Sequence, residues 1–227
     1  PYPTLEMLSA CPDGAVQVLV RAPGEGGAGL GRIRRLCRER GLPVVVSHRA
    51  IRRVSGRDFA VVGVFSKLPR PIVPDANHVL LHRPRYEGNM GTIIRTMLGF
   101  GFRHLAIVGP APDPLGPGVV RASMGAVFRL RHETFRDLDA YLAVFHGRRF
   151  YTFLADGALP IEGLVPRAPF SLVFGSEGCG LPECARRLGT TVRIPHGSEV
   201  DSLNLGVAAG IVMHRVAETA RRSEGAP

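Results

Sequence analysis

From about residue 78 onward, short apolar runs alternate with segments of helical periodicity. Mostly apolar runs occur at 79–82, 105–108 and 171–174, with longer amphipathic stretches between them. Such alternation predicts an α/β fold with a mostly parallel sheet covered by helices on both faces. Further strands are predicted at 128–131, 151–154 and 192–194, and helices at 89–100, 117–124, 136–146 and 202–221.

A smaller α/β unit precedes this sheet. The span from Lys67 to Asp75 contains three prolines, which favour a stiff extended linker over a helix or a central strand. We therefore place a first domain at 1–70, a linker at 71–77 and a second domain at 78–227. In the first domain we predict strands at 15–20, 44–46 (buried) and 59–65, helices at 33–40 and 50–54, and a flexible Gly-rich loop at 24–31.

Basic residues are concentrated in the first domain. The chain has a net charge of +10, and residues 1–75 carry 12 Lys and Arg against 6 Asp and Glu. A phosphate backbone is the commonest partner of such a field, since each neutralised phosphate releases counterions. The alternative is a solvated surface in an arginine-rich chain, because Lys67 is the single lysine. The arginines that we expect to contact RNA are Arg35, Arg49, Arg52 and Arg53.

Composition argues against several other classes of protein. An apolar fraction of 45% over 227 residues is ample for a core. The sequence has neither a run of about 18 uncharged apolar residues nor the basic-then-apolar order of a signal peptide, so we expect neither membrane insertion nor secretion. Its four cysteines lack CxxC spacing, which argues against a zinc site and a disulfide scaffold. We expect a cytoplasmic protein with reduced thiols and no metal.

Two polar loops follow predicted strands. One is 174–182, with the sequence Phe-Gly-Ser-Glu-Gly-Cys-Gly-Leu-Pro, and the other is 194–205, which contains Ser-Leu-Asn at 202–204. Parallel strands end at a common edge of the sheet, where α/β folds bind ligands, so these loops are the first candidate for a site. The first loop matches neither a P-loop nor a GxGxxG motif, so a nucleotide-phosphate cradle is not indicated.

A third candidate stretch, Asn89–Arg95, follows the strand at 79–82. Asn89 is a candidate N-cap of the next helix, and the Arg95 guanidinium is suited to two parallel hydrogen bonds with a phosphate or a carboxylate. Ser202 and Asn204 are either residues of a site or caps of the following helix, since both residue types commonly cap a helix start.

Three segments follow one another along the chain: Asn89…Arg95, Phe174-Gly-Ser-Glu177-Gly-Cys-Gly180 and Ile194-Pro…Ser202-Leu-Asn204. Together they resemble the three ordered motifs of the SpoU (TrmH-like) branch of the SPOUT RNA methyltransferases. The resemblance spans roughly residues 77–218. Within that branch, three segments are most similar to ribosomal RNA 2′-O-methyltransferases that protect producers of thiostrepton-type antibiotics. They are Gly88-Asn89…Arg95-Thr96, Arg121-Ala-Ser-Met-Gly125 and Phe174-Gly-Ser-Glu177. The front unit, which ends in Ser47-His-Arg-Ala-Ile…Gly63-Val64, is similar to the L30e-like RNA-binding domain that those enzymes carry before a proline-bearing linker.

The resemblance implies a C-terminal trefoil-knotted SPOUT domain behind a small L30e-like domain, a homodimer, and S-adenosylmethionine bound within the knot. At two positions this sequence departs from the family pattern, with His196 in place of the usual Met and Gly206 in place of a common Ser. The residues implied at the reaction centre are Asn89, Arg95, Glu177, Ser202 and Asn204. The residues implied to hold the methyl donor are Leu154, Phe174, Gly175, Ile194, Ser202 and Leu203.

The reaction implied is 2′-O-methylation of an RNA ribose. A 2′-hydroxyl is a poor nucleophile, so the enzyme must align it with the methyl group and help to remove its proton. Arginine is effectively always protonated, and we therefore expect Arg95 to position the hydroxyl or its phosphate rather than to act as a base. His196 is an alternative base.

Ribosomal RNA is favoured over tRNA as the substrate, because a separate basic domain precedes the methyltransferase domain. Self-resistance to a ribosome-targeting antibiotic is one purpose that the resemblance suggests, and housekeeping modification is another. The rival functions are base methylation by a member of the wider SPOUT group and non-catalytic RNA binding or ribosome assembly.

Overall fold

The computed structural model of this chain describes residues 1–23 and 26–224. Positions 24 and 25 of the predicted Gly-rich loop, and 225–227, lie outside the described residues. The described residues form two sheets, one of three strands and one of seven.

The smaller sheet lies in the N-terminal part of the chain, with strand order β2-β1-β3. Its strands are β1 (Ala15–Val20), β2 (Val44–Val46) and β3 (Val61–Phe65), and its helices are α1 (Tyr2–Ala10), α2 (Ala28–Glu39) and α3 (His48–Ser55). Leu30, Ile33 and Cys37 recur at helical spacing and are all buried, which explains the position of α2. The end of the predicted Gly-rich loop therefore belongs to this helix.

Two features of the smaller sheet differ from the prediction. Helix α1 was not predicted from the sequence, although its Met7 and Leu8 are buried in the core. The predicted burial of Val44–Val46 is wrong, because these valines are 37%, 39% and 49% exposed. Their strand is at the edge of the sheet and pairs only with β1, so a continuous apolar run does not here indicate a buried strand.

The larger sheet has strand order β6-β5-β4-β9-β7-β10-β8, and every neighbouring pair is parallel, as the alternation predicted. Its strands are β4 (His78–His82), β5 (His104–Val108), β6 (Arg131–Phe135), β7 (Arg149–Phe153), β8 (Leu159–Pro160), β9 (Phe170–Phe174) and β10 (Thr190–Arg193). The helices that accompany it are α4 (Glu87–Gly99), α5 (Pro117–Ala122), α6 (Leu138–Val144), α7 (Glu183–Arg186) and α8 (Leu205–Glu224).

Helices cover both faces of this sheet, as predicted. Successive residues of a strand point to opposite faces. Val79 and Leu81 accordingly pack in the cluster that contains residues of α4 and α8, whereas Leu80 packs in the cluster that contains residues of α6 and α7. Each strand is therefore apolar on both sides, as is typical of buried parallel strands.

The predicted strand at 128–131 is wrong in its position. The strand begins at Arg131, and Phe128 lies in a single 3₁₀ turn formed by Ala126–Arg129. Phe128 is buried and its ring meets that of Phe65 edge to face, with centroids 4.9 Å apart. The apolar residues before the strand therefore pack at the junction between the two sheets.

The junction itself is held by polar contacts as well. Arg129 forms an ion pair with Glu6 of α1, with Nε 2.6 Å from Oε2. Arg70 donates hydrogen bonds to the carbonyl oxygens of Phe128 and Ala10, at 2.6 Å and 2.8 Å. Residues of both sheets also belong to one continuous apolar cluster, so the N-terminal unit packs against the rest of the chain as well as being joined to it by the linker.

A cluster of buried polar residues lies at the amino ends of β4, β7 and β9, and we call it the amino-end cluster: His78, Tyr141, Arg148 and Ser171. The His78 Nε2 lies 2.8 Å from the Val73 carbonyl oxygen and therefore carries the proton. The His78 Nδ1 then accepts from the Tyr141 hydroxyl at 2.8 Å, and that hydroxyl accepts from Ser171 at 2.7 Å. Burial lowers the pKa of His78 to about 4, and the charges of Arg148 and His104 add to the effect.

Arg148 ties the linker to this cluster. Its guanidinium donates to the carbonyl oxygens of Pro74, Ala76 and Phe170, at 3.2 Å, 2.7 Å and 2.6 Å. The Asn77 side chain accepts a hydrogen bond from the Phe170 amide at 3.2 Å. The end of the linker is thus bound to the sheet by several hydrogen bonds.

The longest helix, α8, was predicted to need burial because it is apolar on almost every side. Ala209, Val212 and Met213 are buried against the sheet, whereas Val207 and Ile211 are 53% and 39% exposed. One apolar stripe of the helix is therefore uncovered in a single chain. Across residues 1–23 and 26–224, no helix is long and apolar enough to span a membrane.

Candidate active site

An open cleft of about 890 Å³ lies at the carboxyl ends of four adjacent strands, β4, β9, β7 and β10. The segments that follow these strands form its walls: Tyr86 and Asn89 after β4, 154–156 after β7, 174–181 after β9, and parts of 194–204 after β10. The two polar loops and the Asn89 stretch thus meet on one cleft, at the edge of the sheet where the sequence placed a site.

The Gly-rich loop after β9 is a closed turn. Ser176 and Gly180 exchange backbone hydrogen bonds of 3.1 Å and 3.0 Å, and the Cys179 amide donates to the Ser176 hydroxyl at 3.2 Å. A Cβ at Gly175 would lie 2.3 Å from the Gly180 carbonyl carbon, so only glycine fits there. Gly180 itself has a φ of 64°, in the left-handed region that favours glycine. This turn brings Glu177 to the cleft.

Glu177 binds the loop after β4. Its carboxylate accepts hydrogen bonds from the Asn89 side chain at 2.9 Å and from the backbone amides of Arg85 and Tyr86 at 2.9 Å and 3.4 Å. Burial by itself would raise the pKa of Glu177, but these hydrogen bonds outweigh burial and lower it. Glu177 is therefore an ionised acceptor that organises two loops, and a carboxylate with a lowered pKa is a weak base.

Asn89 was predicted to cap α4, and this interpretation is wrong. The helix begins at Glu87 with Tyr86 as its N-cap, which leaves the Asn89 side chain free to reach across the cleft. Its amide donates to Glu177, and its oxygen accepts from the Asn204 side chain at 3.2 Å. Asn89 thus links the first predicted motif to both of the others.

Asn204 caps α8, which is one of the two interpretations that the sequence left open, and its place at a reaction centre stays a prediction. Its side-chain oxygen accepts from the backbone amides of Gly206 and Val207, at 2.8 Å and 3.3 Å, which is the geometry of an N-cap of α8. Its side-chain nitrogen donates to Asn89. Ser202 is exposed and lines the cleft without a side-chain hydrogen bond to the described residues.

The six residues predicted to hold the methyl donor all line this cleft. Phe174 stacks on Phe153, with ring centroids 4.8 Å apart, and the pair forms an apolar floor. The six residues are Leu154, Phe174, Gly175, Ile194, Ser202 and Leu203.

Arg95 does not line the cleft. Six residues correspond to about 600° of helix rotation, so Arg95 lies about 120° around α4 from Asn89. It follows Gly91 by one turn, and Gly91 is the position against which Ala122 of α5 packs. Arg95 is exposed and forms no ion pair or side-chain hydrogen bond within the described residues. Its place in the reaction stays a prediction.

One pair of residues that lines the cleft was not predicted from the sequence. It consists of Asp156, which follows β7, and Arg186, which is in α7. One guanidinium nitrogen of Arg186 lies 3.1 Å and 3.0 Å from the two carboxylate oxygens of Asp156. Asp156 comes three residues after the end of β7, so its position at a carboxyl strand end was the available signal. His196 also lines the cleft, and its Nδ1 lies 2.8 Å from the Ile194 carbonyl oxygen, which leaves Nε2 as an acceptor.

The four arginines predicted to contact RNA are all exposed on the N-terminal unit: Arg35, Arg49, Arg52 and Arg53. Arg35 lies 3.7 Å from Glu39 on α2, at the spacing of one helix turn. The three arginines on α3 have no side-chain partner among the residues that the structure describes. Exposed, unpaired guanidinium groups are compatible with phosphate contacts, and the assignment stays a prediction.

Comparison with known proteins agrees with this geometry. Residues 76–214 match the SpoU rRNA Methylase family. The chain is 36% identical over 156 residues to a 23S rRNA (adenosine(1067)-2′-O)-methyltransferase from Streptomyces laurentii, which covers 66% of this chain and 56% of that protein. This chain spans about half the length of the curated relatives that it matches.

Two solved structures share the whole architecture. An AdoMet-bound rRNA methyltransferase from Sinorhizobium meliloti superposes with a TM-score of 0.79 at 27% identity, covering 95% of this chain and 84% of that one. The SpoU methyltransferase AviRb from Streptomyces viridochromogenes, in complex with AdoMet, gives 0.81 at 23% identity, covering 99% and 89%, a likeness of fold alone. The fold is that of an α/β SPOUT methyltransferase with a parallel sheet, and the chain belongs to the SpoU rRNA Methylase family.

Proposed function

We propose that this protein is an S-adenosylmethionine-dependent RNA ribose 2′-O-methyltransferase, with ribosomal RNA as the favoured substrate. The observation that carries the proposal is the set of hydrogen bonds among Asn89, Glu177 and Asn204 on one cleft. Family membership supports the reaction type, and the relative from Streptomyces laurentii supports ribosomal RNA over tRNA.

The lining of the cleft fits S-adenosylmethionine. The apolar floor at Phe153 and Phe174 suits an adenine ring, and exposed polar groups such as Ser202 suit the ribose and the amino acid part. The backbone passes close to itself at Gly175, and this contact fixes the shape of the Gly-rich turn that forms one wall of the cleft. When bound, this cofactor supplies a methyl group on a positively charged sulfur.

The residues of the chain then have separate tasks. Glu177 holds the loops after β4 and β9 together, and Asn89 and Asn204 extend this contact to the start of α8. Arg95 binds a phosphate of the substrate and thereby fixes the ribose, since a guanidinium is too strongly protonated to act as a base. His196 presents Nε2 to the cleft as an acceptor for the proton of the 2′-hydroxyl.

Two finer features belong to the same proposal. The segment after β10 passes through the preceding loops as a trefoil knot, an arrangement outside the usual rule for folds. Two copies pair through the uncovered stripe of α8, where Val207 and Ile211 are exposed. We expect Val207→Asp to shift the protein from dimer to monomer in light scattering, with unchanged circular dichroism. A wild-type protein that is already monomeric would contradict this pairing.

The N-terminal unit, in this proposal, is an L30e-like domain that recognises the RNA. Its exposed arginines on α2 and α3 supply phosphate contacts, so the combined change of Arg49, Arg52 and Arg53 to Ala reduces RNA affinity and flattens its salt dependence. The affinity for S-adenosylmethionine, measured by calorimetry, stays the same because these residues are remote from the cleft.

The decisive experiment is methyl transfer from labelled S-adenosylmethionine to ribosomal RNA or to tRNA. We expect label in ribosomal RNA, at a nucleotide whose 3′ phosphodiester resists alkali, because a methylated 2′-oxygen cannot attack it. Label in tRNA alone would reassign the substrate, and an alkali-sensitive product would indicate base methylation. Binding of both cofactor and RNA without transfer would indicate a non-catalytic RNA-binding protein.

Arg95→Ala tests the assigned role of the arginine. Transfer should fall by at least a hundredfold, while the Kd for S-adenosylmethionine stays within about twofold, because Arg95 lies outside the cleft. Arg149→Ala is a matched control, since Arg149 is exposed and its side chain has no partner among the described residues. Expression in a thiostrepton-sensitive bacterium tests self-resistance separately.

A further inference from the structure

Tyr86 lies at the rim of the cleft and has no task in the proposed reaction. Of the aromatic residues that line the cleft, Phe153 and Phe174 stack on each other in the floor, whereas Tyr86 is 58% exposed. Its hydroxyl makes no hydrogen bond with the residues that the structure describes. A large aromatic ring is therefore presented to solvent beside the candidate active site.

Tyrosine is an unfavourable residue at this position, because it does not stabilise the start of α4. Tyr86 is the N-cap of α4, with φ −108° and ψ 125°, and no side chain caps the helix. Asn, Asp, Ser and Thr are strongly preferred at this position, because their side chains accept a hydrogen bond from the first turn. A residue that breaks a local rule at the edge of a cleft is a candidate for function.

The backbone beneath the ring is held in place. Glu177 accepts hydrogen bonds from the amides of Arg85 and Tyr86, and the Arg83 amide donates to the Val108 carbonyl oxygen at 2.7 Å. Arg83 has a φ of 53°, which is uncommon for a residue with a side chain. The ring is thus presented from a fixed loop.

Two cationic side chains flank the ring, and the ionised Glu177 carboxylate beneath its backbone is bound to the amides of Arg85 and Tyr86. Arg83 and Arg85 are exposed, and neither guanidinium has an ion pair or a hydrogen bond to the described part of the chain. One terminal nitrogen of Arg85 lies near Gly178 of the Gly-rich loop, at the rim of the cleft. The carboxylate of Glu87, the nearest acidic group in sequence, is turned towards Gly118 of α5.

We infer that Tyr86 stacks on the base of the nucleotide that RNA presents to the cleft, and that Arg83 and Arg85 hold the phosphates beside it. This inference rests on the proposed function and names its substrate class, a nucleotide outside a continuous duplex. Aromatic side chains recognise unpaired RNA bases by stacking, and guanidinium groups bind the adjoining backbone. A base within an A-form helix is stacked between its neighbours and is not available to the ring.

The chain contains no tryptophan, which allows a direct test. In Tyr86→Trp, we expect an RNA hairpin with an unpaired loop to quench the single tryptophan, and a fully paired RNA duplex and S-adenosylmethionine alone to leave its emission unchanged. Tyr2→Trp is the matched control, since Tyr2 is 66% exposed on α1. Equal quenching by the duplex, by S-adenosylmethionine alone, or at position 2 would overturn the inference.

Two further variants separate stacking from structure. Tyr86→Asn supplies the missing cap, so its Tm should rise by a few degrees while the KM for ribosomal RNA rises about tenfold or more. Tyr86→Phe keeps the ring and should retain most of the affinity. An unchanged KM in Tyr86→Asn would overturn the inference. If the wild-type protein transfers no methyl group to RNA, the proposed function fails, whereas quenching of Trp at position 86 still tests the stacking.

Discussion

The two ends of the larger sheet use polar residues in opposite ways. At the carboxyl ends of the strands, Asn89, Glu177 and Asn204 are partly open to solvent and bind one another across loops around a cleft of about 890 Å³. At the amino ends, the amino-end cluster is buried, and Arg148 is bound to main-chain carbonyl groups.

The polar residues at the carboxyl ends form a site, whereas those at the amino ends stabilise the fold. Polar groups that meet in an open cleft keep capacity for a ligand, and their bonds contribute little to stability because water replaces them at low cost. Buried polar groups have no alternative partner, so each lost bond leaves an unsatisfied group. We therefore expect changes at the amino end to affect stability, and changes at the carboxyl end to affect binding and catalysis.

The largest expected effect is that of Arg148→Ala. The change removes a donor from each of the carbonyl oxygens of Pro74, Ala76 and Phe170, at about 1 kcal/mol or more for each. We expect the free energy of unfolding in urea to fall by about 3 kcal/mol, and S-adenosylmethionine to bind the folded fraction as before. Arg149→Ala is the control, and an equal loss there would contradict the role of the cluster.

The pH dependence of stability reports on His78. Its pKa is 6.5 in the unfolded chain and about 4 in the folded one, so the unfolded state binds more protons between these values. The contribution of His78 to stability is therefore fully present above about pH 6.5 and falls by about 3 kcal/mol as the pH drops to 4. In His78→Gln the slope of unfolding free energy against pH should become shallower over this window. The exposed His146→Gln should keep the wild-type slope, and identical slopes in all three proteins would refute the assignment.

Gly175→Ala tests the carboxyl end of the sheet. The new Cβ would lie 2.3 Å from the Gly180 carbonyl carbon, so the Gly-rich turn must shift. Such overpacking costs about 1–3 kcal/mol, and the displaced turn should weaken S-adenosylmethionine binding at least tenfold in calorimetry. Gly197→Ala has nothing within 4 Å of its Cβ and should bind normally. Normal binding by both variants would mean that the turn does not shape the cofactor site.

The smallest effect on stability is expected for Asn89→Ala. The change removes a partner from both Glu177 and Asn204, which are partly solvated, so the unfolding free energy should change by less than about 1 kcal/mol. Methyl transfer, measured with saturating cofactor, should nevertheless fall at least tenfold. A large loss of stability with unchanged turnover would reverse the comparison between the two ends of the sheet.

The sequence was sufficient where the pattern is periodic or the motif is local. Alternation predicted the parallel sheet, and the Gly-rich loop and the 194–204 segment were placed at one edge because parallel strands end together. The exposure of β2 could not be predicted, because an apolar run has the same composition at an edge and in the centre of a sheet.

Other features depend on distant residues and leave no local signal. Tyr141 and Arg148 are ordinary residues in a helix and before a strand, and only the tertiary fold brings them to His78, 63 and 70 positions away. The cap interpretation of Asn89 was wrong, and its contact with Glu177 could not be predicted because the two residues are 88 positions apart. Arg95 was grouped with Asn89 by sequence, although helix geometry directs the two side chains to different sides of α4.

The segment between the sheets has a further consequence. Residues 66–77 are fastened at one end by Arg70 and Lys67, the latter through an ion pair with Asp113, and at the other end by Arg148. The structure therefore sets a defined distance between the arginines of α3 and the cleft. In the proposed reaction, an RNA whose recognised feature and target ribose are spaced differently would have to bend itself to be methylated, so selection would act on the shape of the RNA as well as on its bases.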